Sequence, residues 1–112
     1  MNDYSEMSDF EINKMVAAKL GVDAKCEDGC LFTSKKHVGE NVISVTAVTD
    51  YCNNPSDMWP LIFENKIDVC FIDSANSWTS FGLTKNKLLV ESSGDNPLRA
   101  AAIVYLMIKD AE

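Results

Sequence analysis

The stretch of the sequence that decides the fold is DNPLRAAAIVYLMIK, residues 95–109. Asn96 is a good N-cap residue, and Pro97 suits the first helical position because its missing N–H would be unpaired there in any case. From Leu98 to Lys109 the pattern is apolar nearly all round, which is typical of a helix covered on every side. At about a dozen residues this helix is too short to cross a bilayer. We therefore predict a central buried helix against which the rest of the chain packs.

A first helix is predicted near the N-terminus from its capping signals. Ser8 and Glu11 have the spacing of a capping box, in which each side chain accepts a hydrogen bond from a backbone N–H at the helix start. Apolar residues then recur at helical spacing, and Gly21 suits the left-handed C-cap conformation. A helix is therefore expected from Asp9 to Leu20.

A second helix is predicted in the middle of the chain. Asn54 is a good N-cap, Pro55 suits the first helical position, and Asn65 is the expected end. Pro60 lies beyond the first turn and should bend the helix. Its apolar side is expected to consist of Met58, Trp59, Ile62 and Phe63.

Four segments have the β-branched or alternating pattern of strands. They are residues 42–48, 67–73, 78–81 and 88–91. The first carries apolar residues on both faces, which favours cover on both sides of its sheet. With the three helices, these strands predict an α/β domain of the α+β type, with a four- or five-stranded, mainly antiparallel sheet.

Two connections are predicted between the first and second helices. Asp28-Gly29 lies between Cys26 and Cys30 and is typical of a hairpin turn, because these residue types accept a positive φ. Residues 34–41 are polar and contain a glycine, so we expect a loop there.

Composition places the chain among ordinary globular proteins and predicts one domain for residues 1–112. Apolar types make up 46% and charged types 24% of the 112 residues, which excludes a disordered or low-complexity chain. Seventeen acidic against ten basic residues give a formal charge of −7, which argues against nucleic acid as the main partner. The short basic clusters at residues 35–37 and 85–87 are expected to be solvated loop charges. Since neither a signal peptide nor a membrane-spanning segment is recognisable, we expect a cytoplasmic protein that does not bind membranes.

The segment DYCNNPSDMWP, residues 50–60, resembles the D-Y-C-N-N-P-x-D-x-W-P signature of the NinX-like proteins of lambdoid phages. Residues 3–5 and 8–14 resemble the N-terminal helix of that family, and residues 96–104 resemble its C-terminal one. The function of this family is not established, and it supplies no catalytic residues. The resemblance implies a three-layer α-β-α sandwich and expression from a phage or prophage in a bacterial host.

The residue types used in catalysis and metal binding do not form a diagnostic pattern. Cys26, Cys30, His37 and Cys52 can be written as a zinc set, but their spacing is looser than in structural zinc sites. A Cys–His nucleophile would have to use His37, the only histidine, and nothing in the sequence brings it to a thiol. We therefore expect no metal or cofactor, and an enzyme is the less favoured function. Cys52 and Cys70 are expected to be buried as small hydrophobic residues.

The 50–60 segment is the main candidate for a binding surface. Capping explains Asn54, and packing in the core is the favoured explanation of Trp59. Tyr51 and Asn53 have no such explanation and are the better functional candidates, with Asp57 in the same segment. Aromatic and amide groups of this kind are common at protein interfaces.

A second candidate lies at the start of the last helix, where Asn96 and Arg99 would surround a helix N-terminus suited to an anion. The binding-site hypothesis thus comprises Tyr51, Asn53, Asn54, Asp57, Trp59, Asn96 and Arg99. The favoured function is a non-catalytic phage accessory protein that binds a host or phage protein. The alternative is a small enzyme or ligand-binding domain that uses residues 51–57, and homo-oligomerisation is left open.

Overall fold

The computed structural model describes residues 4–22, 24–37 and 43–112. Three α-helices and six strands lie in these ranges, with 3-10 turns at Tyr4–Glu6 and Asp73–Ala75. In chain order they are α1 (Asp9–Leu20), β1 (Ala24–Glu27), β2 (Cys30–His37), β3 (Ile43–Val48), α2 (Pro55–Glu64), β4 (Asp68–Ile72), β5 (Ser77–Leu83), β6 (Leu89–Gly94) and α3 (Pro97–Asp110).

The strands form two separate antiparallel sheets of three, ordered β1-β2-β3 and β4-β5-β6. The α+β class, the three helices and the antiparallel pairing are confirmed. The strand count differs from the prediction, because six strands are divided between two sheets instead of four or five in one. The physical reason is that each group of three pairs with itself through hairpins, while α2 separates the groups along the chain. The first sheet then packs on α1, and the second on α3.

The β1–β2 hairpin has the predicted turn. Asp28 and Gly29 both have positive φ, of 51° and 75°, as the two central residues of a type I′ turn require. The loop expected over residues 34–41 is wrong for residues 34–37, which belong to β2 and pair with residues 43–46 of β3. Residues 38–41, and residue 42 of the predicted strand 42–48, lie outside the described residues. The expected cover over Val48 is also wrong, because its side chain is exposed.

Helix α3 is the central element, as predicted. Its residues 100–106 and Ile108 are buried, and it contacts β4, β5, β6, α1 and α2. Since the helix is buried nearly all round, these neighbours cover different sides of it. Helix α3 thus packs against the second sheet and against the helices α1 and α2, within the predicted α+β class. No helix among the described residues is both long and apolar enough to span a membrane.

Helices α1 and α2 begin and end at the predicted capping residues. The strands of the second sheet begin and end at residues other than those predicted. Ser8 caps α1, Gly21 closes it with a φ of 72°, and Asn54 and Asn65 cap α2. Helix α2 continues through Pro60 to its predicted end. The sixth strand runs on to residue 94, because residues 92–94 continue the pairing with β5.

The contact between β5 and α3 leaves no room for a side chain at Gly82. A Cβ atom at this position would lie 2.7 Å from Ile108 Cδ1 and 2.8 Å from Val104 Cγ1. Ser80 points to the same side of β5 and is fully buried. Its hydroxyl has no hydrogen-bond partner among the described residues. Small side chains on this strand thus allow the close approach of the helix.

We predict that Gly82→Ala destabilises the protein by about 1–3 kcal/mol, because the added methyl group overpacks the contact with α3. Urea denaturation monitored by circular dichroism measures the change. The matched control is Gly94→Ala on the neighbouring strand, where a Cβ atom meets nothing within 4 Å. The control should be neutral or stabilising by up to about 1 kcal/mol. Equal free energies of unfolding for the two variants would contradict the close packing.

Candidate functional site

The segment between β3 and α2 lies where the N-terminal ends of α1 and α3 meet. Its backbone turns at Asp50, whose carbonyl oxygen accepts from Asn54 N at 2.8 Å. Asn13 of α1 holds this turn from one side. Its Nδ2 donates to Asp50 Oδ1 at 2.9 Å, and its Oδ1 accepts from Cys52 N at 3.1 Å. One amide side chain of α1 thereby holds this turn at two points, Asp50 and Cys52.

Asn53 and Asn96 join the same turn to α3. Asn53 Nδ2 donates to Asp9 Oδ2 at 3.2 Å and to Asp50 Oδ2 at 3.0 Å. Asn96 Nδ2 donates to Asn53 Oδ1 at 3.0 Å and to Cys52 O at 2.7 Å. Asn96 Oδ1 accepts from the backbone N–H groups at the start of α3, at 2.9 and 3.2 Å. Asn96 therefore caps α3 and attaches its first turn to the 50–54 segment.

Arg99 attaches α3 to the N-terminal segment. Its Nη1 forms an ion pair with Asp9 Oδ1 at 2.7 Å. Its Nη2 donates to three carbonyl oxygens, of Met7 at 2.6 Å, Tyr4 at 3.3 Å and Ser5 at 3.4 Å. The guanidinium group is thus used within the chain to hold the turn that precedes α1.

The start of α2 is fixed by one carboxamide contact and one carboxylate contact. Asn54 Oδ1 accepts from Ser56 N at 3.0 Å, which caps the helix. Asp57 is buried, and its Oδ2 accepts from Asp50 N at 3.0 Å. Negative charge in the first helical turn is also favoured by the helix dipole.

The structure brings five of the predicted residues into one hydrogen-bonded network. These are Asn53, Asn54, Asp57, Asn96 and Arg99. Each has polar partners within the chain, and the N–H groups that cap each helix are directed at asparagine oxygens instead of at an open anion site. Sequence reasoning missed Asn13 as a member. The available signal was a polar residue beside buried Ile12 in the apolar stripe of α1.

Tyr51 and Cys52 are buried between the helices. Burial raises the pKa of the Tyr51 hydroxyl to about 12, with a further contribution from the Asp57 charge. Burial and the nearby Asp9 carboxylate together raise the pKa of the Cys52 thiol to about 12, against a lowering by Arg99. Both groups are therefore protonated at neutral pH. Cys52 is buried as expected, and Cys70 is partly buried.

The expectation that Trp59 packs in the core is wrong, since 62% of the residue is exposed. Phe63, one turn further along α2, is 75% exposed. The inward side of α2 consists of Met58, Leu61 and Ile62 instead. The reason is the rotation of the helix, which the buried Asp57 and the asparagine cap fix with residues 58, 61 and 62 towards α3.

The proposed zinc ligands are not gathered into one site. Cys26 is paired with Leu31 and Cys30 with Glu27, so the two thiols lie on opposite faces of the hairpin. Cys52 is in the core, and the His37 side chain lies outside the part of the chain that the structure describes. Among the described residues, no three His, Cys, Asp or Glu side chains are placed to hold a metal ion.

A cleft of about 400 Å³ lies beside the network, between α1 and the β1–β2 hairpin. Its polar lining includes Asp9, Asn13 and Asp50. Both carboxylates already accept hydrogen bonds from Asn53, and Arg99 neutralises one of them. These groups stabilise the fold and are not preorganised towards a ligand in the cleft.

The comparison with protein families identifies the family of the chain. The family model described as "Bacteriophage P22, NinX" matches residues 3–109. The chain belongs to this family. None of the curated proteins matches it. The resemblance of the chain to NinX-like proteins is thus confirmed. In the structure the polar side chains of the DYCNNPSDMWP segment join three helices.

We predict that Asn13→Asp destabilises this NinX-family protein by about 2–3 kcal/mol at neutral pH. The new carboxylate cannot donate to Asp50, and it places a second negative charge beside that carboxylate. Burial and like charge raise the pKa of the introduced carboxyl group above its value in the unfolded chain. Its penalty is therefore present at neutral pH and is relieved as the pH falls through the raised pKa.

The matched control for this prediction is Asn13→Ala, which removes both hydrogen bonds and adds no charge. Its cost relative to wild type should be about 1–3 kcal/mol and nearly independent of pH. Urea denaturation of the wild type and of the two variants between pH 4.5 and 7 measures the cost of each substitution and its dependence on pH. A cost of Asn13→Asp that does not decrease at acidic pH would contradict the network.

We predict that Cys52 resists alkylation in the folded protein at pH 8, whereas the exposed Cys26 and Cys30 react. A pKa raised from 9.0 to about 12 lowers the thiolate fraction of Cys52 roughly 1,000-fold, and burial also excludes the reagent. Iodoacetamide labelling followed by peptide mass spectrometry measures each site, with the same reaction in denaturant as the control. Labelling of Cys52 as fast as that of Cys26 would contradict the assigned burial.

Proposed function

We propose that this NinX-family chain is a non-catalytic accessory protein of a phage or prophage, which acts in the host cytoplasm by binding a host or phage protein. The contact surface in this proposal is the aromatic pair of α2, formed by Trp59 and Phe63. The observation that supports it is their exposure, of 62% and 75%, on a helix whose opposite side belongs to the core.

The position of the two aromatic side chains favours a shared contact. Residues four apart on a helix are neighbours on its surface, so Trp59 and Phe63 form one continuous patch. Large aromatic residues bury much area with little conformational freedom to lose, and they dominate the energy of many protein interfaces. When a partner removes such an exposed aromatic patch from water, the free energy of the complex is lowered.

The helix that carries the pair is held rigidly. Asn54 caps its start, Asp57 accepts from the backbone of the preceding turn, and Asn65 Nδ2 donates to Leu61 O at 2.9 Å at its end. A surface that is already ordered loses less entropy on binding. This support favours a binding module over the alternative of a ligand site at residues 51–57, whose polar side chains have partners within the fold.

We predict that the double variant Trp59→Ser, Phe63→Ser loses its partner and keeps its stability. Because both residues are largely exposed, the free energy of unfolding should change by no more than about 0.5–1 kcal/mol. The tagged protein is used as bait in bacterial lysates from infected and uninfected cells, with nuclease present, and retained proteins are quantified by mass spectrometry. A partner retained by wild type should fall at least about tenfold with the variant.

The matched control is Leu20→Ser, which removes an exposed apolar side chain at the end of α1. This variant should retain the partner at the wild-type level. Capture of the same proteins by wild type and by the double variant would refute the assignment to α2. The absence of any stoichiometric partner from both lysates would refute the binding-module proposal itself.

A further inference from the structure

A second exposed apolar surface lies on the face of the β4–β6 sheet that points away from α3. Gly82 faces α3, so its neighbours Phe81 and Leu83 on β5 lie on the opposite face, which we call the outer face. Leu83 is paired with Leu89 of β6, and the two residues are 53% and 65% exposed. Because the exposed face of an antiparallel sheet is normally polar, these side chains indicate a contact with another molecule.

Two positive and two negative side chains surround these apolar residues. The strand register places Asp68 of β4 and Glu91 of β6 directly beside Phe81, one on each side. Lys66, in the connection from α2 to β4, and Lys87, in the connection from β5 to β6, line a groove with the apolar residues. All four charged residues are exposed, and none has an ion-pair partner among the described residues. The charges therefore balance in number without being paired within one copy.

The two kinds of charge are separated along the strands. Lys66 precedes Asp68 by two residues on the β4 side, and Lys87 precedes Glu91 by four on the β6 side. Since β4 and β6 are both antiparallel to β5, they run in the same direction. The two lysines therefore lie towards one end of the outer face. The two carboxylates lie about 7–13 Å further along it, at about 3.3 Å per residue.

This order makes the outer face complementary to itself. We propose that two copies of the chain pack outer face to outer face, about a two-fold axis that crosses the strands between the Leu83–Leu89 pair and Phe81. Such an axis reverses the direction of the strands and places each strand over its own equivalent in the second copy. The inference does not rest on the proposed function, because it requires no other protein.

The contacts that follow from this axis match in charge and in hydrophobicity. The pairing of Asp68 with Phe81, extended by two residues, places Lys66 level with Leu83. The axis exchanges these two levels, so Lys66 of one copy lies opposite Asp68 of the other, and Leu83 lies opposite Phe81. On the β6 side, the same exchange brings the lysine of the β5–β6 connection towards the carboxylate of β6. Every charge then has an opposite charge across the interface.

Charge complementarity favours a second copy over a segment that carries one sign of charge. An acidic segment would meet the two carboxylates, and a basic segment would meet the two lysines, so each would be repelled at one level of the face. A two-fold interface instead makes every contact twice, once in each direction, and pairs both kinds of charge. The surface of a single copy thus contains both halves of the interface.

The area of the outer face determines the expected strength of the dimer. Three strands about 4.8 Å apart, each with about six residues, form a surface of about 15 by 20 Å. Two such faces bury less than about 1,200 Å² in total, which is at the lower end of specific interfaces. We therefore expect a reversible dimer with a dissociation constant of about 10–100 µM.

Sedimentation velocity at protein concentrations from about 5 to 500 µM tests for this dimer. Two charge-reversed variants are compared with the wild type. One carries Lys66→Glu and Lys87→Glu, and the other carries Asp68→Lys and Glu91→Lys. In either variant every charged contact across the axis joins like charges, so we expect the dissociation constant to rise at least about tenfold.

An equimolar mixture of the two charge-reversed variants tests the axis itself. Each introduced charge then faces an opposite charge on the other chain. The mixture should therefore dimerise at least as tightly as the wild type, although neither variant does so alone. Because the restored contacts are ionic, this association should weaken as salt is added.

Two further variants separate the interface from net charge and from folding. Lys25→Glu with Lys85→Glu changes the net charge as much as the first charge-reversed variant. Lys25 lies in the first sheet and Lys85 does not line the groove, so this variant should dimerise like the wild type. Leu83→Ser with Leu89→Ser should weaken the dimer at least about tenfold. Since both leucines are more than half exposed, it should unfold within about 3 °C of the wild type.

The outcomes distinguish this inference from the proposed function. A wild-type chain that stays monomeric throughout overturns the inference, as does a dimer that the charge-reversed variants leave intact or a mixture that does not recover. The Trp59→Ser, Phe63→Ser variant should dimerise like the wild type, because neither residue lies on the outer face. Loss of the dimer in that variant would assign the interface to α2 and overturn the inference. Failure to capture a partner protein would leave the dimer unaffected.

Discussion

The constraint on which the rest of the structure depends is the burial of α3. A helix that is apolar nearly all round cannot lie on a surface, so the chain has to supply cover on every side of it. The second sheet supplies one side, and α1 and α2 supply others. The closeness of this packing explains the small residues Ser80 and Gly82 on the facing strand, since larger side chains would hold the helix away from the sheet.

Covering α3 brings helix ends together, and helix ends carry backbone N–H groups that need partners. The 50–60 segment and Asn96 meet this need with short side chains. Asn54 and Asn96 cap the two helices that follow it, while Asn53 and Asp50 link both caps to α1. Asparagine suits this role because one side chain both donates and accepts. The segment that most resembles a recognition motif in the sequence is therefore, first of all, a junction between helices.

This result changes which residues are candidates for binding a partner. Polar residues that are bonded to one another gain little by turning to a ligand, because each would lose a partner in a low-dielectric setting. Exposed apolar groups are in the opposite situation, since their transfer from water into an interface lowers the free energy. The largest apolar side chains left exposed on α2 are those of Trp59 and Phe63.

The sequence by itself determined the three helices, the hairpin turn at residues 28–29 and the central position of α3, because capping, turn conformation and amphipathic pattern are local properties. Only the tertiary structure decided how the strands divide into two sheets, since pairing depends on which segments meet in space. It also decided the outward position of Trp59, because a small rotation of α2 exchanges it with its neighbours. The network around Asp50 joins residues far apart in the chain. Local capping patterns predicted Asn54 and Asn96, but the contacts that join these residues to Asn13 and Asp50 depend on the tertiary structure.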